Sequence, residues 1–287
     1  MKKIITFFSI IIFLSKAGLA SEIQYYCPKE PYNLSKGVGS FTSSITGTNF
    51  LVKQFAQKGL AKALNKELNG KFKVKIDTFG GSNLQNGKFK KLSAKSKTIE
   101  NNGMFFSDLY VETLCDFNHV KYENNTLYFV ENMLIEYNGK VSAADLKRTI
   151  QSPEYINAID KISITSKGKS IAKILNHDVT IKNNKIVMSY DLFIPLFLGT
   201  VPKHIEFSAD LKVDNGRIIF ADINFGNSAA NAAMKSAIPM INLLNPFIYQ
   251  VRIDDSNNAI INVKKAEIIN NEIIVNGIIL IPKNYKK

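Results

Sequence analysis

Two periodicities run along this chain. Between Thr48 and Leu68, Val52, Phe55, Ala56, Gly59, Leu60, Ala63, Leu64 and Leu68 recur at i, i+3, i+4 and i+7, the spacing of one apolar helix face. Lys53, Gln57, Lys58, Lys62 and Lys66 take the other side, Thr48 fits the start and Asn69-Gly70 the stop. Burying the five large apolar side chains of that face is worth on the order of 10 kcal/mol, at about 2 kcal/mol each. The stripe therefore demands a cover. Lys71 to Ile76 supplies a strand signal, with lysines and apolar residues in strict alternation.

Beyond it, short apolar runs are punctuated by Asn-Gly and Asn-Asn pairs. They are Asn86-Gly87, Asn102-Gly103, Asn124-Asn125, Asn138-Gly139, Asn183-Asn184, Asn215-Gly216, Asn257-Asn258 and Asn270-Asn271. Both residue types tolerate the positive φ of two-residue hairpins, so each pair predicts a reversal and the series predicts an antiparallel meander. Ser142 to Asp145 reads as a capping box opening a short helix through Ile150, and Ser152-Pro153-Glu154 restarts it. From Ser228 to Asn245, Ala230, Ala233, Met234, Ala237, Ile238, Ile241 and Leu244 predict a second long helix, kinked at Pro239. The fold class expected is α+β: a long curved antiparallel sheet wrapping two long apolar-faced helices.

The N-terminus changes the setting. Lys2 and Lys3 precede an apolar run from Ile4 to Leu14, and Ala17-Gly18-Leu19-Ala20 supplies small residues at a cleavage site. That is the pattern of a signal peptide cut near Ala20, too short to span a bilayer permanently. The expected division is 1–20 signal peptide, 21–47 polar N-terminal segment and 48–287 a single α+β domain, working outside the cytoplasm and in the periplasm. Cys27 and Cys115 are the only cysteines. In an oxidising compartment an even count favours a disulfide over two free thiols.

Charge is unevenly placed. The chain carries +13, or +10 once Lys2, Lys3 and Lys16 leave with the signal, and twelve lysines face only two acids, Glu67 and Asp77, between Lys53 and Lys97. Such a region attracts anionic surfaces, and for an exported protein these are lipid head groups before nucleic acid.

Catalytic patterns are not found. His119, His177 and His204 lie far apart and read as lone solvated side chains, with no metal spacing among them. Gly80-Gly81-Ser82 reads as a bend between strands, because no helix is expected to open after it. Asp254 to Asn257 lacks the spaced acids of a calcium loop. No carboxylate pair or nucleophile constellation suggests an enzyme, and no cofactor is implied.

Several segments resemble a known family. They are Ile76 to Leu92 with its Gly87-Lys88-Phe89 turn, Phe106 to Thr113, and Ala144-Asp145-Leu146 followed by Ser152-Pro153-Glu154-Tyr155. Together they resemble the LmeA-type phospholipid-binding family of exported envelope proteins, over roughly Phe50 to Pro282. The resemblance implies an elongated apolar groove for phospholipid, similar to tubular domains in which a curved sheet wraps a long helix, and carries over no catalytic residues.

Val52, Phe55, Leu60, Leu64, Met234, Ile238, Ile241 and Leu244 are then the candidates to contact acyl chains. Lys58, Lys62, Lys73, Lys88 and Lys90 are those to meet a phospholipid head group or a membrane face. Sequestering an acyl chain of about sixteen carbons brings roughly 10 kcal/mol before costs and needs no reactive group. A dry packed interior demands the same apolar pattern as a tunnel. An envelope assembly factor binding a protein partner through a sheet edge is the alternative class.

Overall fold

The computed structural model describes residues 27, 34, 48–123, 126–161, 164–166, 169–193, 202–227, 238–249 and 260–283. The expected signal peptide, most of the 21–47 segment, Met234 and the Asn124-Asn125 and Asn257-Asn258 turns lie outside them. In order, the first half comprises α1 (Thr48–Glu67), β1 (Lys73–Asp77), α2 (Gly81–Gln85), β2 (Lys88–Phe89), β3 (Lys91–Asn101), β4 (Met104–Thr113), β5 (Asn118–Glu123), β6 (Thr126–Phe129) and β7 (Met133–Ser142). There follow α3 (Ala143–Ile150), α4 (Pro153–Lys161), β8 (Ile164–Ser166), β9 (Lys169–Lys182), β10 (Lys185–Phe193), β11 (Lys203–Asp214) and β12 (Arg217–Asn224). The last elements are α5 (Ile238–Leu243), α6 (Pro246–Tyr249), β13 (Ile260–Ile269) and β14 (Glu272–Ile281).

The molecule is mixed and strand-rich, and its strand pairs are antiparallel. A six-stranded sheet runs β1-β3-β4-β7-β14-β13, a five-stranded sheet β12-β11-β10-β9-β8, and β2-β5-β6 form a third. Four predicted reversals are hairpin turns with positive φ at both central residues: Asn102-Gly103, Asn183-Asn184, Asn215-Gly216 and Asn270-Asn271. This is the backbone twist that matches two antiparallel strands.

Three expectations are corrected. Asn138-Gly139 does not turn: it lies inside β7, paired on both sides with β4 and β14, and Phe106 and Leu109 pack over the bare Cα of Gly139. Gly80-Gly81-Ser82 does open a helix, the five-residue α2. Nor do the described residues contain two long apolar helices. Beside the 20-residue α1, the described part of the 228–245 stretch is the six-residue α5, after which Pro246 begins the separate turn of α6.

One face of the six-stranded sheet carries both main cores. Along β7, Met133, Ile135, Tyr137, Gly139 and Val141 share that face, and along β14 Ile273, Val275, Gly277, Ile279 and Ile281 do. At one end it is covered by α1 through Leu60, Leu64 and Leu68. At the other it is covered by α3, α4, α5, α6 and the five-stranded sheet, with Ile150, Tyr155, Phe207 and Leu244 at the centre. The capping box of α3 is present: Asp145 bonds the Ser142 backbone and side chain, and also accepts from Ser107 on β4. That contact ties the helix to the sheet beneath it. Asn245 donates to Ile218 and the Tyr155 hydroxyl to the Leu244 carbonyl, joining the second cap internally.

The opposite face holds a small cluster of Cys115, Leu134 and Ile278. Here Cys115 is bonded to Cys27, with Cα atoms 5.3 Å apart across a separation of 88 residues. A closed bridge points to maturation in an oxidising, extracytoplasmic setting.

Helix α1 is turned about a quarter revolution from the orientation its sequence suggests. Leu64 is fully buried, whereas Phe55 is 72% exposed and Lys53 is half-buried. The rotation brings Lys53 Nζ to 3.6 Å from Asp77 on β1. It follows that Leu64→Ala costs about 3 kcal/mol in denaturant unfolding, while Phe55→Ala stays within about 0.5 kcal/mol. Equal costs at the two positions would contradict this helix orientation.

Candidate functional site

The predicted acyl-contacting residues do not converge on one place. Leu60 and Leu64 belong to the first core, Ile241 and Leu244 to the second. Val52 sits half-buried on the flank of α1, and Phe55 points to solvent. Ile238 begins α5, and Met234 lies outside the described residues. What joins the two cores is a pair of aromatic residues, Phe106 on β4 and Tyr137 on β7. Both are partly buried and packed against both clusters. They stand over the two glycines of the shared face: the Phe106 ring lies over Gly139, and a Cβ at Gly277 would strike the Tyr137 ring and the Asn262 carbonyl. Burial raises the Tyr137 hydroxyl above the ordinary tyrosine range. The ring is therefore a neutral, apolar surface with one polar tip.

The predicted head-group lysines fall in three locations. Lys58 and Lys62 are exposed on α1. Lys73 lies on the face of β1 opposite the buried Ile76. Lys88 begins β2, paired in register with His119, and Lys90 follows the strand, 5.4 Å from the centre of the Phe79 ring. Ion pairs engage part of the basic region, joining Lys53 and Lys75 to Asp77, Lys91 to Asp116 and Lys95 to Asp108. Each has at least one solvent-exposed partner and carries small energetic weight. Among the described residues, no ion pair engages Lys58, Lys62, Lys66 or Lys73. Part of the accessible positive charge thus stands on α1 and the outer face of β1, beside the exposed Lys71, Lys90 and Lys97.

Two features escaped the sequence pattern. Leu51 and Lys66 are exposed on the same stripe of α1 as Phe55, Lys58 and Lys62; Leu51 is not among the residues of the predicted apolar face. His204 is not isolated: its Nδ1 lies 2.8 Å from Asp191, whose other oxygen accepts from Asn176 at 2.9 Å. The amide and the imidazole hold the Asp191 carboxyl below the usual range. Register alone creates this contact, since Asp191 on β10 is paired with His204 on β11. The third member of the group is the Asn176 amide, so no hydroxyl or thiol is aligned with the pair. Among the described residues no cluster of three or more His, Cys, Asp or Glu is arranged to hold a metal, and no helix is long and apolar enough to cross a membrane.

Burial also lowers the affinity of His119 for a proton, helped by Lys88 and Lys121. His177 is lowered by burial, against an opposing pull from Asp160. Both imidazoles therefore bind protons more readily in the unfolded chain, so stability is complete above about pH 6.5 and declines as pH falls through it. A melting series from about pH 7.5 to about pH 5.5 should show a falling Tm. The double variant His119→Asn/His177→Asn should flatten that slope; an unchanged slope would assign it to other groups. No family model, curated protein or solved structure matches this chain.

Proposed function

We propose that this chain is an exported, periplasmic protein that binds phospholipid or another anionic lipid in the cell envelope without catalysing a reaction on it. The observation carrying this reading is the shared sheet face: two caps of different construction meet over one continuous apolar strip, with partly buried Phe106 and Tyr137 at the seam. Cores of this kind ordinarily close under one cover. A junction between two covers is where an acyl chain would enter, displacing flexible contacts and leaving the strand ladders intact. In this reading the aromatic rings line the chain's path, and unpaired lysines on α1 and β1 face the head group. The disulfide, the signal-like N-terminus and the LmeA-type resemblance support the same setting.

A second reading has its own observation. Edge strand β13 donates its Val263 amide to the Gly216 carbonyl but exposes Ile260 and Ile269 at its two ends, at 40% and 44%, where an added strand of a partner would pair. Protein purified from its native envelope and extracted with organic solvent should release lipid in stoichiometric amount, identified by mass spectrometry. Extracts without lipid, from protein held by a stable partner chain, would favour the edge-strand reading.

A further inference from the structure

The solvent face of α1 has an order of its own. Leu51, Phe55, Lys58, Lys62 and Lys66 are spaced by four, three, four and four residues, which places them on a single stripe. All five are exposed, Leu51 at 49% and Phe55 at 72%. The covered side of the same helix is Leu60, Leu64 and Leu68, so the stripe has no part in holding the fold together. Its first two members are large and apolar, and its last three are cations. The first turn of the helix carries no acid, and the nearby Asp77 is already engaged by Lys53 and Lys75.

We propose that this stripe docks the protein on an anionic bilayer, with Leu51 and Phe55 entering the boundary between head groups and acyl chains. Lys58, Lys62 and Lys66 then lie among the lipid phosphates. The proposal rests on the lipid-binding reading and adds how the protein reaches its lipid. Charge complementarity selects the occupant. A negatively charged surface neutralises three aligned lysines, whereas a second copy of the helix would set lysines against lysines. An apolar pair beside a lysine row is also the composition of helices that lie in the membrane interface plane. With α1 lying flat, its buried side presses on the first core, close to the seam at Phe106 and Tyr137.

The test uses the mature, disulfide-bonded chain and vesicles of phosphatidylglycerol with phosphatidylethanolamine, against vesicles of phosphatidylcholine alone. Wild type should co-sediment with the anionic vesicles at low salt and be released at high salt. Leu51→Ser/Phe55→Ser should weaken binding about a hundredfold, close to tenfold per side chain. Lys58→Gln/Lys62→Gln/Lys66→Gln should weaken it and abolish its salt dependence. The Leu51→Ser/Phe55→Ser variant should still yield lipid on solvent extraction. The chain contains no Trp, so Phe55→Trp installs a single reporter whose emission should shift to the blue on adding anionic vesicles. That second measurement holds even if a serine variant misfolds.

Wild-type binding by the two multiple variants, or an unshifted Trp, would overturn the docking proposal. So would a solution dimer dissolved by Phe55→Ser in place of vesicle binding, which would make the occupant a second copy. Extracted lipid without vesicle binding would remove the docking surface alone. Vesicle binding without extracted lipid would remove the seam reading and leave docking in place.

Discussion

A sheet that is apolar along the whole of one face must be covered along the whole of it, and here no single element does so. Strands β7 and β14 run the full length of that face, placing Met133, Ile135 and Ile281 at one end and Val141, Ile273 and Val275 at the other. One helix suffices at the first end because Leu60, Leu64 and Leu68 form a narrow ridge. A wider cover, built from short helices and a second sheet, closes the other. Removing either would expose a broad apolar surface to water. The middle is thinned by Gly139 and Gly277, and the rings of Phe106 and Tyr137 occupy the space that side chains would have filled.

Local chemistry was legible in the sequence, and register was not. Asn183-Asn184 and Asn270-Asn271 turn because two adjacent residues accept positive φ, a property each carries by itself. Asn138-Gly139 has the same letters as the turns Asn102-Gly103 and Asn215-Gly216 and extends, because two flanking strands pair with it. The capping box at Ser142 was equally readable, its four residues being contiguous. By contrast, the Asp191–His204 contact depends on how β10 and β11 are aligned, and the convergence of Phe106 with Tyr137 depends on strands meeting across the sheet. Nothing within a window of ten residues announces either.

Helix α1 shows a subtler failure of pattern reading. Its apolar residues cover well over a third of the circumference, so more than one face satisfies the periodicity. The choice among them came from outside the helix: Leu60, Leu64 and Leu68 bury against the sheet, and on that side Lys53 comes within 3.6 Å of Asp77 on β1. Turning inward on that side carries Phe55 outward on the other. The basic composition between Lys53 and Lys97 is accordingly divided. Some lysines are held by acids, and others, on α1 and the outer face of β1, are left to act on whatever approaches.

The Cys27–Cys115 bond anchors its small cluster on the sheet face opposite the one that α1 covers. The chain between Cys27 and Thr48 therefore starts on one side of the sheet and finishes on the other, fastened at both ends. A protease that cut once within that stretch would free no fragment containing Cys27, since the sulfur bridge would keep it joined to the body. Only a reductant would let it go, so cleavage there shows as a smaller band solely on a reducing gel.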